Sequence, residues 1–330
     1  MSAMNAAPPG RTARKVLLAD IGGTNARFAI LADGTVDRVA HMAVSDYDSF
    51  REALSAYLGG VPEASAIRAA ILAASGVIQN GCCALTNNSW VIDAAELRAA
   101  RGFSTVRLVN DFEAVAWSLP VLAHDKLLQV GGRQPVAGAP LAALGPGTGL
   151  GVAASIPHAT GHLVLSSEGG HATLAGCSSR EDAVIAYLRQ RFGHVSAERV
   201  LSGNGLENLH EALAVLDNLM LPGRSAAEIT QAGIEGTCST SRAAIDMFCA
   251  MLGTVAGNLA LTLGAKGGIF VAGGIVRHMP EYFVSSPFRA RFEQKGRFRK
   301  YLEPIPAYLI LDEDAAFVGL RALAEVEGIG

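Results

Sequence analysis

Two apolar runs joined by a glycine turn constrain this chain more than any other stretch. Val16-Leu17-Leu18-Ala19 leads into Asp20-Ile21-Gly22-Gly23-Thr24-Asn25-Ala26-Arg27, and Phe28-Ala29-Ile30-Leu31 leaves it. The pattern reads as strand, turn, strand. With no Cβ in the way, the two glycines let the backbone turn sharply and approach a ligand closely. An acid closes the incoming strand, where it can reach a metal ion. A hydroxyl and several backbone N–H groups sit in the turn, where they can reach phosphate oxygens. A nucleotide-phosphate loop built on a hairpin is one reading, and an ordinary tight hairpin is the other.

The second half of the chain starts in the same way. Leu141-Ala142-Ala143-Leu144 runs into Gly145-Pro146-Gly147-Thr148-Gly149-Leu150-Gly151, and Val152-Ala153-Ala154-Ser155-Ile156 follows. Two such hairpins, each opening a segment where strands alternate with helices, form the nearest thing to an internal repeat. They predict two α/β domains with a nucleotide clamped in a cleft between them. A third glycine feature, Gly273-Gly274, ends the apolar run 267–272. It lets a flat group such as a purine lie against the backbone.

Between these features the periodicity predicts a third strand at 35–44 and a helix at 47–58, capped by Ser45 or Asp46. Strands follow at 66–73 and 106–109, with a helix from Asp93 to about residue 101. Another helix at 112–119 is ended by Pro120. In the second half, helices are expected at 179–192, 204–216, 225–233 and 240–263, the last apolar on more than one face and therefore central. A last strand at 309–311 and a last helix at 315–324 complete the chain, the helix crossing back to the first domain. The expected domains are 16–121 with 312–330, and 122–311, after a disordered leader at 1–15.

Composition narrows the functional classes. Of 330 residues half are hydrophobic, enough for two domain cores, and the formal net charge of −3 implies no nucleic-acid surface. The basic cluster 289–300 reads as a solvated helix face. The five cysteines are odd in number, irregularly spaced and without a C-x-x-C pair. They read as reduced thiols of a cytoplasmic protein. No apolar run long enough for a signal peptide precedes Val16, and glycines and charges interrupt every run that could span a membrane.

The candidate chemistry lies at strand ends. Asn110-Asp111 stands where a strand meets a helix. An Asp there can accept a proton from a substrate hydroxyl as it attacks a γ-phosphorus, or it can simply cap the helix. Asn110 can bind a second hydroxyl, which favours a polyol. Glu168 and His171 flank Gly169-Gly170, and Glu198 follows. Carboxylates bind sugar hydroxyls and discriminate against a missing one. Two carboxylates and a histidine can also hold a metal, but the spacing is irregular and no cysteine cluster joins them.

With these residues in view, the sequence resembles the bacterial glucokinase family, the branch without the cysteine-rich zinc motif of the ROK kinases and repressors. The strings that carry the resemblance include 20–27, Leu85-Thr86-Asn87-Asn88-Ser89-Trp90, Asn110-Asp111-Phe112, 145–151, 168–171, 193–203, 257–261, 272–275, 296–298 and 305–306. The resemblance implies an actin-like, ribonuclease-H-like pair of α/β domains with a nucleotide cleft. It implies ATP-dependent phosphorylation of glucose at the 6-hydroxyl, the entry step of glycolysis, by a cytoplasmic homodimer. Asp111 is then the catalytic base, and Asn110, Glu168, His171 and Glu198 bind glucose alongside it. Ala19, Asp20, Ile21, Gly22, Gly23 and Thr24 form the ATP loop, Gly147, Thr148 and Gly149 the second phosphate loop, and Gly273 and Gly274 the base site. Asp20 helps hold Mg²⁺, through water.

The chain departs from the family pattern in its longer leader, in Ser166-Ser167 before Glu168, and in Asn204 where proline is usual. A kinase for another hexose or an amino sugar is the neighbouring expectation. A sugar-responsive transcription regulator would need an N-terminal helix-turn-helix, for which 1–14 is too short. An actin- or chaperone-like ATPase fits poorly with the loop at 168–171.

Overall fold

A computed structural model describes residues 15–62, 64–86 and 88–329; the leader at 1–14 and Asn87 of the 85–90 string lie outside the described residues. The described residues divide into two compact units, 15–114 with 316–329, and 115–315.

Unit 1 is built on a five-stranded sheet in the order β3-β2-β1-β4-β8. β1 (Val16–Ile21) and β2 (Asn25–Ala32) form the hairpin read from sequence, and β3 (Thr35–Ala43) continues it antiparallel. α1 is Phe50–Gly59. The helix starts later than the periodicity predicts because Tyr47 is extended, at φ −138° and ψ 139°. Its cap is therefore Ser49, whose side chain accepts from the Glu52 N–H, and not Ser45 or Asp46. β4 (Ala69–Ala74) runs parallel to β1. A small ribbon of β5 (Ile78–Gln79), β6 (Cys82–Ala84) and β7 (Val91–Asp93) follows. Then come α2 (Ala94–Arg101), capped by Asp93, β8 (Thr105–Asn110), parallel to β4, and α3 (Asp111–Ser118). β1 and β4 read as near-continuous apolar runs because both of their faces are buried. Phe28 stacks on Tyr57 at 5.1 Å, and Phe50 lies between Phe28 and Trp90 in the same core.

Unit 2 repeats this topology. Its sheet runs β12-β11-β10-β13-β14-β9. β9 is Leu127–Gln129, an edge strand the periodicity does not reveal. β10 (Leu141–Pro146), β11 (Leu150–His158) and β12 (Gly161–Ser167) form the antiparallel meander. The helices α4 (Ser179–Phe192), α5 (Gly203–Leu216), α6 (Ala226–Glu235) and α7 (Ser239–Leu263) follow. β13 (Gly268–Val271) lies parallel to β10, as β4 does to β1. The short helices α8 (Gly274–Arg277), α9 (Pro280–Ser285), α10 (Phe288–Glu293) and α11 (Arg299–Leu302) lead to β14 (Ala307–Ile310). α12 (Ala315–Glu327) returns to unit 1, where Phe317, Leu320 and Leu323 are buried.

Two sequence expectations are corrected here. α7 is long and apolar enough to cross a membrane by length and composition, yet two thirds of its most apolar window is buried inside unit 2. A Cβ at Gly253 would meet the Phe288 carbonyl oxygen at 2.2 Å, and one at Gly257 the Phe292 oxygen at 2.6 Å, so these glycines let α10 lie directly on α7. The basic cluster 289–300 is not a uniformly solvated face. The Arg289 guanidinium donates to the Ile305 and Glu303 carbonyls at 2.8 and 2.7 Å, and Arg291 pairs at 2.7 Å with Glu181, whose side chain is 4% exposed. Only the later basic residues, such as Arg297 and Lys300, are exposed.

Candidate active site

In unit 1 the candidate residues gather at the carboxyl ends of three adjacent parallel strands. β1 ends beside Asp20, β4 leads into Ser75-Gly76, and β8 ends at Asn110. Ligands of α/β sheets bind outside strand ends of this kind. The Gly22 N–H donates to the Asn25 carbonyl at 2.9 Å, closing the turn, and Thr24 is exposed at its tip. The Asn88 amide donates to the Gly23 carbonyl at 3.4 Å while its oxygen accepts from the Trp90 N–H at 2.8 Å. Asn88 thus ties the first loop to Trp90, a role its residue type does not announce.

Asp20 faces Arg27 across the β1–β2 ladder, and the guanidinium holds the carboxylate through Nε at 3.1 Å and through Nη2. Arg27 also lies over the Phe317 ring, 5.6 Å from its centroid. The arginine belongs to the quoted loop, but only the register shows that it is the partner of the acid.

Asp111 is the first residue of α3, and the capping position falls to Asn110. The Phe112 N–H donates to Asn110 Oδ1 and to Asp111 Oδ1, both at 2.9 Å, and Asn110 Nδ2 donates to the Gly76 carbonyl at 3.4 Å. The Asn110 amide is therefore fixed in orientation, with one N–H hydrogen left for a ligand. Burial, and then the Asp20 charge nearby, push the Asp111 carboxyl up to about 7, against the pull of the Phe112 N–H and the Ser75 hydroxyl. A carboxyl poised near neutrality suits a general base.

In unit 2 the second loop and the candidate sugar ligands form one cluster. β10 and β11 pair through Pro146 and Leu150 around Gly147-Thr148-Gly149, with Thr148 exposed. Glu198 Oε2 accepts from the Leu150 N–H at 2.9 Å, and the Glu198 N–H donates to the Gly170 carbonyl at 2.9 Å. His171 lies between the two acids, Nε2 at 3.7 Å from Glu168 Oε2 and Nδ1 at 3.8 Å from Glu198 Oε1. The Gly203 N–H, opening α5, donates to the Gly147 carbonyl at 2.9 Å. Glycine at 149 leaves room for this contact: a Cβ there would lie 2.4 Å from Glu198 Oε2, and the carboxylate would have to move.

Gly273 has φ +97°, and a Cβ would meet the Pro146 carbonyl oxygen at 2.2 Å. The β13–α8 turn thus packs against β10, which alone accounts for glycine at 273. At Gly274 a Cβ would meet nothing closer than His278 Cε1 at 3.8 Å. Among the described residues, no group of three or more His, Cys, Asp or Glu side chains forms a metal cluster. Two neighbouring carboxylates, Asp20 and Asp111, are hard oxygen donors of the kind that Mg²⁺ uses when phosphates supply the remaining ligands.

The chain matches the glucokinase family model over residues 17–327. It is 48% identical over 310 residues to a glucokinase of Paramagnetospirillum magneticum, covering 93% of this chain and 97% of the relative. A crystal structure of glucokinase from an Antarctic psychrotroph superposes with a TM-score of 0.83 at 34% identity, covering 94% of this chain and 98% of that one. A ROK family glucokinase from Streptomyces griseus, solved with glucose and AMPPNP, superposes at 0.64 and 19% identity over 94% of this chain and 99% of its own, which speaks to the fold alone. The architecture common to these chains is the actin-like α/β ATPase fold.

Proposed function

The chain belongs to the glucokinase family, and from that premise we propose how its residues carry phosphoryl transfer from ATP to glucose. The protein is a phosphotransferase that makes glucose 6-phosphate. The proton of the 6-hydroxyl passes to an Asp111 carboxylate oxygen. The hydroxyl oxygen forms its bond to the γ-phosphorus as the bond to the β–γ bridging oxygen breaks, and ADP leaves. The observation that carries this assignment is the Asp111 carboxyl, raised to about 7 at the carboxyl end of β8. Asn110, Glu168, His171 and Glu198 bind the sugar hydroxyls. The support is the fixed Asn110 amide in unit 1 and, in unit 2, a histidine set between two carboxylates.

Within residues 19–24 and 147–149, the N–H groups not already bonded in the ladder and the turns, together with the Thr24 and Thr148 hydroxyls, bind the phosphates, and 273–274 accommodate the base. When bound, Mg²⁺ supplies charge neutralisation at the β- and γ-phosphates. Asp20 would help hold it, with Arg27 fixing the carboxylate. The enzyme works in the cytoplasm as a homodimer. The five cysteines, all free thiols, agree with a reducing compartment.

A coupled assay of ADP release with and without glucose tests the reaction: turnover depends on glucose, and equal turnover without it sinks the kinase reading. For the metal, Asp20→Asn raises the Mg²⁺ concentration needed for half-maximal activity; an unchanged requirement removes Asp20 from the metal site.

A further inference from the structure

We propose that the β12 edge of unit 2 is where a second copy of this chain docks, the two strands pairing antiparallel about Val164. The inference rests on the homodimer reading above and names its surface.

Among the described residues β12 pairs only with β11, through an unbroken register from Val152↔Ser167 to His158↔Gly161, and lies at the edge of its sheet. Exposed sheet edges template pairing with another chain and are ordinarily blunted by charge, proline, bulges or brevity. The other edges of the two large sheets are protected in those ways. β3, its counterpart in unit 1, carries Asp37, Arg38 and His41, and its register with β2 shifts between Phe28 and Ile30. β9 has three residues. Arg107 of β8 is paired with Glu327 of α12. β12 has none of these devices. Its sequence, Gly161-His162-Leu163-Val164-Leu165-Ser166-Ser167, contains no carboxylate, lysine, arginine or proline. Burial and the neighbouring His158 push the His162 ring below its ordinary range, and Ser155 holds it at 3.0 Å.

The strand is also symmetric in chemical character about Val164. Small residues end it, polar residues come next, and a leucine stands on each side of the centre. A two-fold interface brings every residue to its own mirrored environment, so it requires self-complementarity. Antiparallel pairing centred on Val164 sets Leu163 opposite Leu165 of the second copy, twice, on one face. It sets His162 opposite Ser166, twice, on the other. Leu163 and Leu165 are 59% and 45% exposed. Opposed apolar pairs of this kind are the stabilising unit of a sheet. Because the strand bears no formal charge, no like charges meet at the axis. Behind Leu165 an apolar groove of about 310 Å³, walled by Ala154, Val255 and Leu259, is open to receive the leucine of the second copy.

The test is the mass of the full-length chain by light scattering and sedimentation. Wild type has twice the chain mass. Leu163→Lys with Leu165→Lys opposes ammonium groups across the axis and halves the mass. Leu163→Lys with Leu165→Glu opposes unlike charges in this register alone and restores the doubled mass. Met220→Lys, at an exposed loop outside the edge, leaves it doubled. A second readout does not depend on the charged variants folding: Val164→Cys forms a covalent dimer on oxidation, beyond any that wild type forms. A monomeric wild type overturns both this surface and the homodimer. A doubled mass in the double-lysine variant together with no added cross-link through position 164 overturns the surface and leaves the homodimer standing.

Discussion

Asp111 combines a catalytic assignment with a cost to the fold, and the two separate on substitution. A carboxyl whose folded-state pKa is raised to about 7 holds its proton more tightly than in the unfolded chain. Its burden on stability is absent below the usual carboxylate range and grows as pH rises from about 4 to about 7. Asp111→Asn is expected to raise Tm at pH 8 and not at pH 4, while lowering phosphoryl transfer by about 10²- to 10⁴-fold. A pH profile of kcat/KM for the wild type should rise through an inflection near 7, as the base loses its proton. At Gly149, alanine would push Glu198 off the Leu150 N–H, 2.9 Å away. Loss of that charge-assisted bond is expected to weaken glucose binding about ten- to hundredfold, read by titration calorimetry. The glycines and acids of these loops are legible in the sequence as candidates because they interrupt apolar runs where a turn must follow. The partners Arg27, Asn88 and Ser75 were not assigned roles, because pairing across a ladder or a loop depends on register that residue type does not carry.

Elements with a strong period and a plain cap matched their expectation closely. α4 has the bounds read from sequence, and α6 is capped by Ser225, whose side chain and Glu228 form a reciprocal box. Elements of three to six residues, such as β9 and α9 to α11, escaped, because so short a stretch shows no period. The ion pair that ties α10 to α4 escaped with them. Arg291 meets Glu181 at 2.7 Å, and the same carboxylate accepts from the Cys177 N–H at 2.7 Å. Arg291→Ala would leave that buried carboxylate without its cation. A loss of about 3–5 kcal/mol is expected in denaturant unfolding. Ser225→Ala, at an exposed cap, should cost about 1 kcal/mol by the same measurement.

For the whole molecule, the repeated glycine hairpin foretold that each half opens on a strand, a turn and a strand; the parallel strand beside each hairpin is seen only in the structure. It could not foretell where the units part. The division falls at 114/115, inside α3, since contacts and not proline punctuation define a unit. Removal of residues 316–330 strips Phe317, Leu320 and Leu323 from the core of unit 1. Such a truncated chain is expected to keep the protease resistance of unit 2 and to lose that of unit 1, as read by limited digestion and mass spectrometry. Because α12 lies in unit 1 while 115–315 form unit 2, the two units cannot mature in the order in which they begin. On the ribosome, the first strands to emerge must wait, lacking their last helix, until all of unit 2 has been translated. At roughly 5–20 residues per second, the 201 residues of that inserted unit impose a delay of about 10–40 seconds. Over that interval the apolar hairpin near the start of the chain lacks the helix that completes its unit, and the second unit to be made is the first able to finish folding.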